Sequence, residues 1–301
     1  KSSRAGGKSY ELANTYDSAG NITTLKRYNE LGATIDDFNY VYYSGTNKLQ
    51  RVSGTSGNQF SYDANGNLIQ DALNNNNEML YDHRNLITEL KHQSRIIGDP
   101  IFLTNYYYDE AGNRIRKMTY QYIGSNVSDP SANSDVSNTS NWELVNDEVY
   151  SRDVSGREMA IYKGNEIEEY PLYGLDMIGK LVKDVPNYYF KDHLGSIRAI
   201  VNPDNEIVSA QDYDQWGYLL EGRTFESDVS KFKFTSKERD AESFYDYFGV
   251  RYYDARIGRW EQVEPIQNLQ LSISPFSYSN DNPLKFIDLG GMSTSDVILK
   301  G

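Results

Sequence analysis

Tyr62-Asp63-Ala64-Asn65-Gly66-Asn67, followed by Leu68-Ile69, has the chemistry of a strand, a tight turn and a second strand. The aromatic residue ends an extended run, the aspartate opens the turn by accepting backbone amides ahead of it, and the glycine supplies a positive φ. The phrase recurs as Tyr16-Asp17-Ser18-Ala19-Gly20-Asn21 and Tyr108-Asp109-Glu110-Ala111-Gly112-Asn113, with degenerate copies at Tyr43-Ser44-Gly45-Thr46-Asn47-Lys48-Leu49 and Tyr81-Asp82-His83-Arg84-Asn85-Leu86. Steps between these tyrosines are 27, 19, 19 and 27 residues, a unit of about 20 with insertions. A lone hairpin is marginal in water, so the hairpins must stack edge to edge and bury one face continuously. The expected fold class is therefore all-β, a spiralling ribbon of stacked hairpins.

A calcium loop also places oxygen ligands at alternate positions, as Asp63, Asn65 and Asn67 do. It needs a bidentate Glu at the twelfth position, where this chain has Asn74, Tyr120 and Tyr28 after Asp63, Asp109 and Asp17. The turn reading is preferred. Beyond the repeats, Gly124 to Asn141 is rich in Ser, Asn and Asp with little to bury, and reads as a polar loop insertion. Strand signals return at Val149–Asp153, Met159–Tyr162, Glu168–Tyr173 and Ile207–Val208. The organisation expected is hairpins over 1–123, the polar loop over 124–141, further hairpins over 142–230, a dense core motif over 231–292 and a tail over 293–301.

Composition narrows the classes. The chain has 301 residues, a formal charge of −13 and no cysteine, which excludes disulfides and thiolate metal sites. Such an acidic chain repels a phosphate backbone, and the one dense basic cluster, Lys231 to Arg239, is interleaved with Glu238 and followed by Asp240 and Glu242. No nucleic acid partner is expected. No run approaches the ~20 apolar residues of a membrane helix, so no membrane span is expected either. The first residues, Lys1 to Gly7, carry no apolar secretory core, and the reading preferred is a piece of a longer precursor.

Three tempting motifs fail on chemistry. Gly174-Leu175-Asp176-Met177-Ile178-Gly179-Lys180 has P-loop spacing, but Leu181 stands where Mg²⁺ binding requires Ser or Thr, and Asp176 would repel phosphate. The histidines at 83, 92 and 193 have no paired ligand spacing. Asp192, His193 and Ser196 are too close in sequence to converge as a triad, and read as a hairpin turn. No metal or cofactor is expected.

The densest pattern lies in the C-terminal third. It comprises Tyr247-Phe248-Gly249-Val250-Arg251-Tyr252-Tyr253-Asp254-Ala255-Arg256-Ile257-Gly258-Arg259-Trp260, then Glu264-Pro265, Ser274-Pro275-Phe276-Ser277-Tyr278, Asn282-Pro283 and Phe286-Ile287-Asp288. Together with Tyr188–Arg198 and the repeats, it resembles the bacterial Rhs/YD-repeat family, which includes toxin-complex C subunits and, more distantly, teneurins. The resemblance covers roughly residues 10–290. It implies a hollow β-cocoon plugged by a core whose motif residues here are Arg251, Tyr252, Tyr253, Asp254, Gly258, Arg259 and Trp260. It also implies secretion or cell-surface display, a role in competition between bacteria, and an encapsulated toxin domain, upstream shell repeats or secretion-machinery proteins as partners.

Members of that family often cut themselves with paired aspartates in two D-P-x-G motifs. The matching positions are Glu264-Pro265-Ile266-Gln267 and Asp288-Leu289-Gly290-Gly291-Met292. The implied catalytic pair is Glu264 and Asp288, acting on the Met292–Ser293 bond. The extra methylene of Glu264, and Leu289 in place of a turn-fixing proline, loosen a geometry that must hold within about 0.5 Å, so the expectation is an uncut chain. The function expected is the terminal part of a secreted shell that encloses or delivers a toxin. Two alternatives are a self-cleaving aspartic enzyme and a surface adhesin that stacks sugars on exposed aromatics.

Overall fold

The computed structural model describes residues 9–52, 57–93, 100–124, 134–227, 230–269, 272–292 and 294–296. Ser293, residues 125–133 of the polar insertion and residues 297–301 of the tail lie outside them. Among the described residues the fold is all-β, as the repeats require, with helix confined to 3-10 turns at Phe234–Ser236, Gln267–Leu269 and Ser279–Asp281. The chain divides into two compact units.

One unit comprises Tyr62–Tyr188 and Asp240–Phe244. Its strands run β6 (Leu68–Asp71), β7 (Asn76–Tyr81), β8 (Ile87–Gln93), β9 (Ile101–Tyr108), β10 (Arg114–Tyr122), β11 (Trp142–Arg152), β12 (Glu158–Lys163), β13 (Glu166–Tyr173), β14 (Met177–Val182) and β15 (Val185–Lys191), the last reaching past the unit's edge. From β6 on, each strand pairs antiparallel with the next in chain order. Pairing follows chain order throughout this series, so no strand waits for a distant partner. Gly174, Leu175 and Asp176 make a bend between β13 and β14, which disposes of the P-loop resemblance. Beside the insertion, Ile101, Leu103 and Trp142 form a small apolar cluster on which Tyr120, Tyr122 and Val136 pack.

The other unit comprises 1–61, Tyr189–Arg239 and 245–301. It holds β1 (Leu12–Tyr16), β2 (Ile22–Tyr28), β3 (Thr34–Tyr42) and β4 (Leu49–Val52) in order, and β16 (Ile197–Val201), β17 (Ile207–Tyr213) and β18 (Leu219–Phe225) in order. β5 (Phe60–Tyr62) crosses its boundary. The Gln215 side chain donates to Asn14 Oδ1 at 2.9 Å and Tyr10 Oη to the Glu221 carbonyl at 3.2 Å, which brings the β17–β18 hairpin against β1. The core motif forms a small sheet, β19 (Glu238–Arg239), β20 (Asp246–Tyr247), β21 (Tyr252–Asp254) and β22 (Arg259–Trp260), and a last pair, β23 (Phe286–Asp288) with β24 (Thr294–Asp296).

The turns explain the repeat. Asp63 Oδ1 accepts the Asn67 amide at 2.8 Å, its Oδ2 accepts the Asn67 side chain at 2.8 Å, and the Gly66 amide returns to the Asp63 carbonyl at 3.2 Å. Asp17 with Asn21 and Asp109 with Asn113 form the same clasp. Gly20, Gly66 and Gly112 sit at φ of +77°, +89° and +87°, a region closed to a side chain without strain. Asn29, Asp82, Asp153, Asp192, Asn202 and Asp214 clasp the amides two and four residues on in the same way, so the turn is far commoner than the strict phrase. Asp192 thus spends Oδ1 on the Leu194 and Ser196 amides, while Ser196 Oγ accepts the Thr235 amide at 3.0 Å.

The tyrosine has its own task. The hydroxyl of Tyr81 donates to the Leu68 carbonyl at 2.5 Å, Tyr108 to Ile87 at 2.8 Å, Tyr173 to Glu158 at 2.9 Å, Tyr213 to Ile197 at 3.0 Å and Tyr42 to Ile22 at 2.6 Å. Each acceptor opens the strand that follows the preceding clasp or its counterpart, so each of these tyrosines pins its neighbour. A register shift precedes Tyr16, Tyr28, Tyr42, Tyr81 and Tyr173, a bulge that adds twist at these corners.

Two substitutions separate these contributions. Tyr108→Phe is expected to cost about 1 kcal/mol in urea denaturation through the lost bond to Ile87, whereas Tyr107→Phe, on an exposed ring, costs under about 0.5 kcal/mol. Gly112→Ala is expected to cost about 1 kcal/mol or more through its positive φ, because the nearest side chain, Leu86, would sit at an ordinary 3.5 Å from the new Cβ.

Candidate functional site

The core motif assembles around aromatic rings. Tyr253 and Tyr278 stack with centroids 4.3 Å apart, and Phe248 meets Trp260 edge-on at 4.9 Å. Tyr253 Oη donates to the Trp216 carbonyl at 2.8 Å. Gly258, at φ +65°, leaves room for the Trp216 indole, since a Cβ there would approach it to 3.1 Å. Rings of this kind supply large apolar area to a small core.

Arg251 lies against this cluster, its guanidinium 4.1 Å from the Trp260 centroid. It is buried and fully engaged. Nε donates to the Gly291 carbonyl at 2.6 Å, Nη1 to the Pro275 carbonyl at 3.3 Å, and Nη2 to Glu264 Oε2 at 2.6 Å and Asp288 Oδ2 at 3.4 Å. The sequence pair Glu264 and Asp288 is thus brought together on one guanidinium nitrogen. Asp288 Oδ1 also accepts the Gly290 and Gly291 amides at 3.0 and 2.6 Å, which fixes the turn that leads to Met292. Burial holds the Glu264 carboxyl above its ordinary value against the opposing pull of Arg251, and burial brings the Arg251 guanidinium down to about 10. A small depression lined by Glu264, Gln267, Ile273, Ser274, Pro275 and Ser277 lies on the Glu264 side.

The remaining motif residues are tethers. The Tyr252 amide donates to Gln262 Oε1 at 2.8 Å, and Asp254 Oδ1 accepts the Arg256 amide at 2.7 Å. Arg259 donates to the Asn47 carbonyl at 2.7 Å and to Tyr42 Oη at 3.2 Å, which ties the core to the β3–β4 hairpin. A second hub, which the motif reading missed, is Arg27. It is 2% exposed and donates to Asp214 at 2.6 Å, to Asp36 at 3.2 Å and to the carbonyls of Arg256 and Ala255 at 2.6 and 3.2 Å. Its one sequence signal is its phase: Arg27 falls in step with Leu25, on the buried face of β2. Among the described residues, no group of three His, Asp or Glu side chains is placed to hold a metal ion.

Near the same core, Ser279, Asn280 and Asp281 are successive left-handed residues, at φ +50°, +51° and +59°. Ser277 Oγ donates to Asp281 Oδ1 at 2.6 Å. Burial raises the Asp281 carboxyl to about 6.

The fold and tethers define a chain of antiparallel hairpins with an aromatic and arginine core motif. Residues 5–130 match the family model for the teneurin YD-shell. A tRNA3(Ser)-specific nuclease WapA of Bacillus spizizenii is 24% identical over 291 residues, 92% of this chain but 11% of that protein. Toxin subunit YenC2 of Yersinia entomophaga is 29% identical over 99 residues, 32% of this chain and 10% of that subunit. The solved structure of the Photorhabdus luminescens Tc holotoxin pore superposes over 94% of this chain and 13% of its own, with a TM-score of 0.66 at 15% identity. Repeat, family match and fold together make this chain similar to proteins built on YD-repeat shells. It spans about a tenth or less of the length of the curated proteins named here.

Arg251→Met is expected to strand two buried carboxylates and lower stability by about 3–5 kcal/mol in denaturant titration, with Arg251→Lys losing less because the charge remains. Asp281 gives a prediction in pH. Its folded value, about 6, exceeds the ordinary 3.8, so the folded chain binds that proton more tightly and loses stability as pH rises through 6. Asp281→Asn, which suits a left-handed position, is expected to raise stability by about 1–2 kcal/mol at pH near 7.5. That gain should vanish near pH 4 if urea midpoints are compared across the range.

Proposed function

We propose that this chain is a segment of a secreted YD-repeat shell that encloses a polypeptide passenger, a toxin by analogy with the toxin subunits and holotoxin it resembles. The observation that carries the reading is the uninterrupted chain-order pairing from β6 to β15. It makes each repeat one more hairpin of a wall and leaves the core motif as a fastening. The rest of the shell comes from repeats outside this sequence. Cryo-electron microscopy of the full gene product that carries this sequence should show a wall around an inner polypeptide. A solid or open ribbon with the passenger in solvent rejects the proposal.

Within that shell, Glu264 and Asp288 serve as charge partners of Arg251 that hold the final turn at the core. A proton-sharing acid pair depends on two carboxylates repelling each other across a short gap, and a guanidinium contacting both removes that repulsion. The chain therefore stays uncut at Met292–Ser293. Intact mass of the purified protein should include Ser293–Gly301. Loss of that tail from the unaltered chain, abolished by Asp288→Asn, would overturn this assignment.

A further inference from the structure

Asp240–Phe244 belongs to the unit built from β6–β15, far along the chain from the strands on which it lies. It docks largely by charge. Arg114 Nη1 donates to Asp240 Oδ2 at 2.7 Å with both side chains fully buried, and Lys117 Nζ lies 3.1 Å from Glu242 Oε2 and 3.5 Å from Asp240 Oδ1. Thr119 Oγ1 donates to Glu242 Oε1 at 3.2 Å, and the Asn76 side chain donates to the Ser243 carbonyl at 3.2 Å. The Phe244 amide turns back to the Asp240 carbonyl of the same segment at 2.8 Å.

His92 lies beside the strand position that this strap holds. It is the cross-strand partner of Asn76 and stacks on Phe102 of β9 with centroids 5.3 Å apart. Its Nε2 is buried with no hydrogen-bond partner among the described residues, and so is Asn76 Oδ1. The charged groups that face it are Glu242 on the strap and Lys117 on β10. Lys117 in turn meets Glu148 of β11 at 3.4 Å, whose carboxylate accepts the Tyr150 hydroxyl, while on β7 the neighbouring Glu78 is taken by Lys91.

We propose that Asp240–Phe244 is an acid-released strap: closed at neutral pH over a neutral His92, and lifted from β7–β10 when protons reach the imidazole and the strap's carboxylates. Two effects of the same sign drive it. Burial brings the imidazole from its ordinary 6.5 to about 4, and on this proposal lifting the strap readmits water and restores proton affinity. That difference shifts the open-to-closed ratio by up to about 300-fold between pH above 6.5 and pH below 4. Lys117 holds the Glu242 carboxyl below its ordinary value against burial, and that stabilisation of the closed strap is lost as Glu242 takes up a proton. A strap held by sheet hydrogen bonds alone would respond to neither.

Hydrogen–deuterium exchange of the full chain, read by mass spectrometry at about pH 7.5 and about pH 4.5 and corrected for intrinsic rates, tests this. Peptides covering Asp240–Phe244 should lose at least about tenfold protection at the lower pH while β9 and β10 keep theirs. His92→Gln, which cannot take the proton, should remove most of that loss. Glu242→Gln should loosen the strap already at neutral pH, and this readout stands if the His92 variant fails to fold. Unchanged strap protection at low pH overturns the proposal. So does joint loss across β8–β11, equal acid opening in His92→Gln, or a Glu242→Gln strap as protected as the parent at neutral pH.

Discussion

An aspartate oxygen that accepts two amides of its own turn is the contact on which the rest of this molecule depends. Asp17, Asp63 and Asp109 each use one carboxylate oxygen to close the turn and the other to hold an asparagine side chain. The clasp needs no tertiary partner, so every hairpin begins from a locally satisfied corner. The tyrosine hydroxyl then joins that corner to the strand before it, and burial follows from stacking rather than preceding it.

What a repeated hairpin cannot supply is an end. The core motif is held by buried charge more than by sheet. Arg27 and Arg251 each reach several carbonyls and carboxylates at once, and Arg259 a carbonyl and a tyrosine hydroxyl, as a planar fork can and an ammonium cannot. Burying such groups is costly unless every donor is used, and the gain is specificity: few alternative packings satisfy a guanidinium and two acids together. The same logic governs the cluster of Arg114 and Lys117 with Asp240 and Glu242.

The fold was legible because a period-two pattern broken by Asp-x-x-Gly-Asn has few physical solutions. The three glycines at positive φ and the all-β architecture follow from residues in view. Less visible were the turns at Asn29, Asn202 and Asp214, where the clasp survives although the flanking phrase does not, because only the oxygen and the left-handed position matter. The resemblance marked Arg251, Glu264 and Asp288, but not that the arginine touches both acids, since this depends on a loop returning from Gly291. Arg27 and Asp240–Phe244 were missed because their partners lie far off in sequence: Asp214 is 187 residues from Arg27, and Asp240 is 126 from Arg114. Pattern within a strand says which face a charge occupies and nothing about what meets it there.

The bulge before the tyrosine has a consequence for how such a chain is made. Where a hairpin carries both its own register shift and its own clasp, a slip in one pairing is absorbed at the next corner instead of passing along the sheet. Errors stay local. Strands that pair in chain order can also be laid down as they leave the ribosome, each on a finished neighbour, without holding an exposed edge open for a late partner. A wall built this way can gain or lose a hairpin over evolutionary time without redrawing the rest.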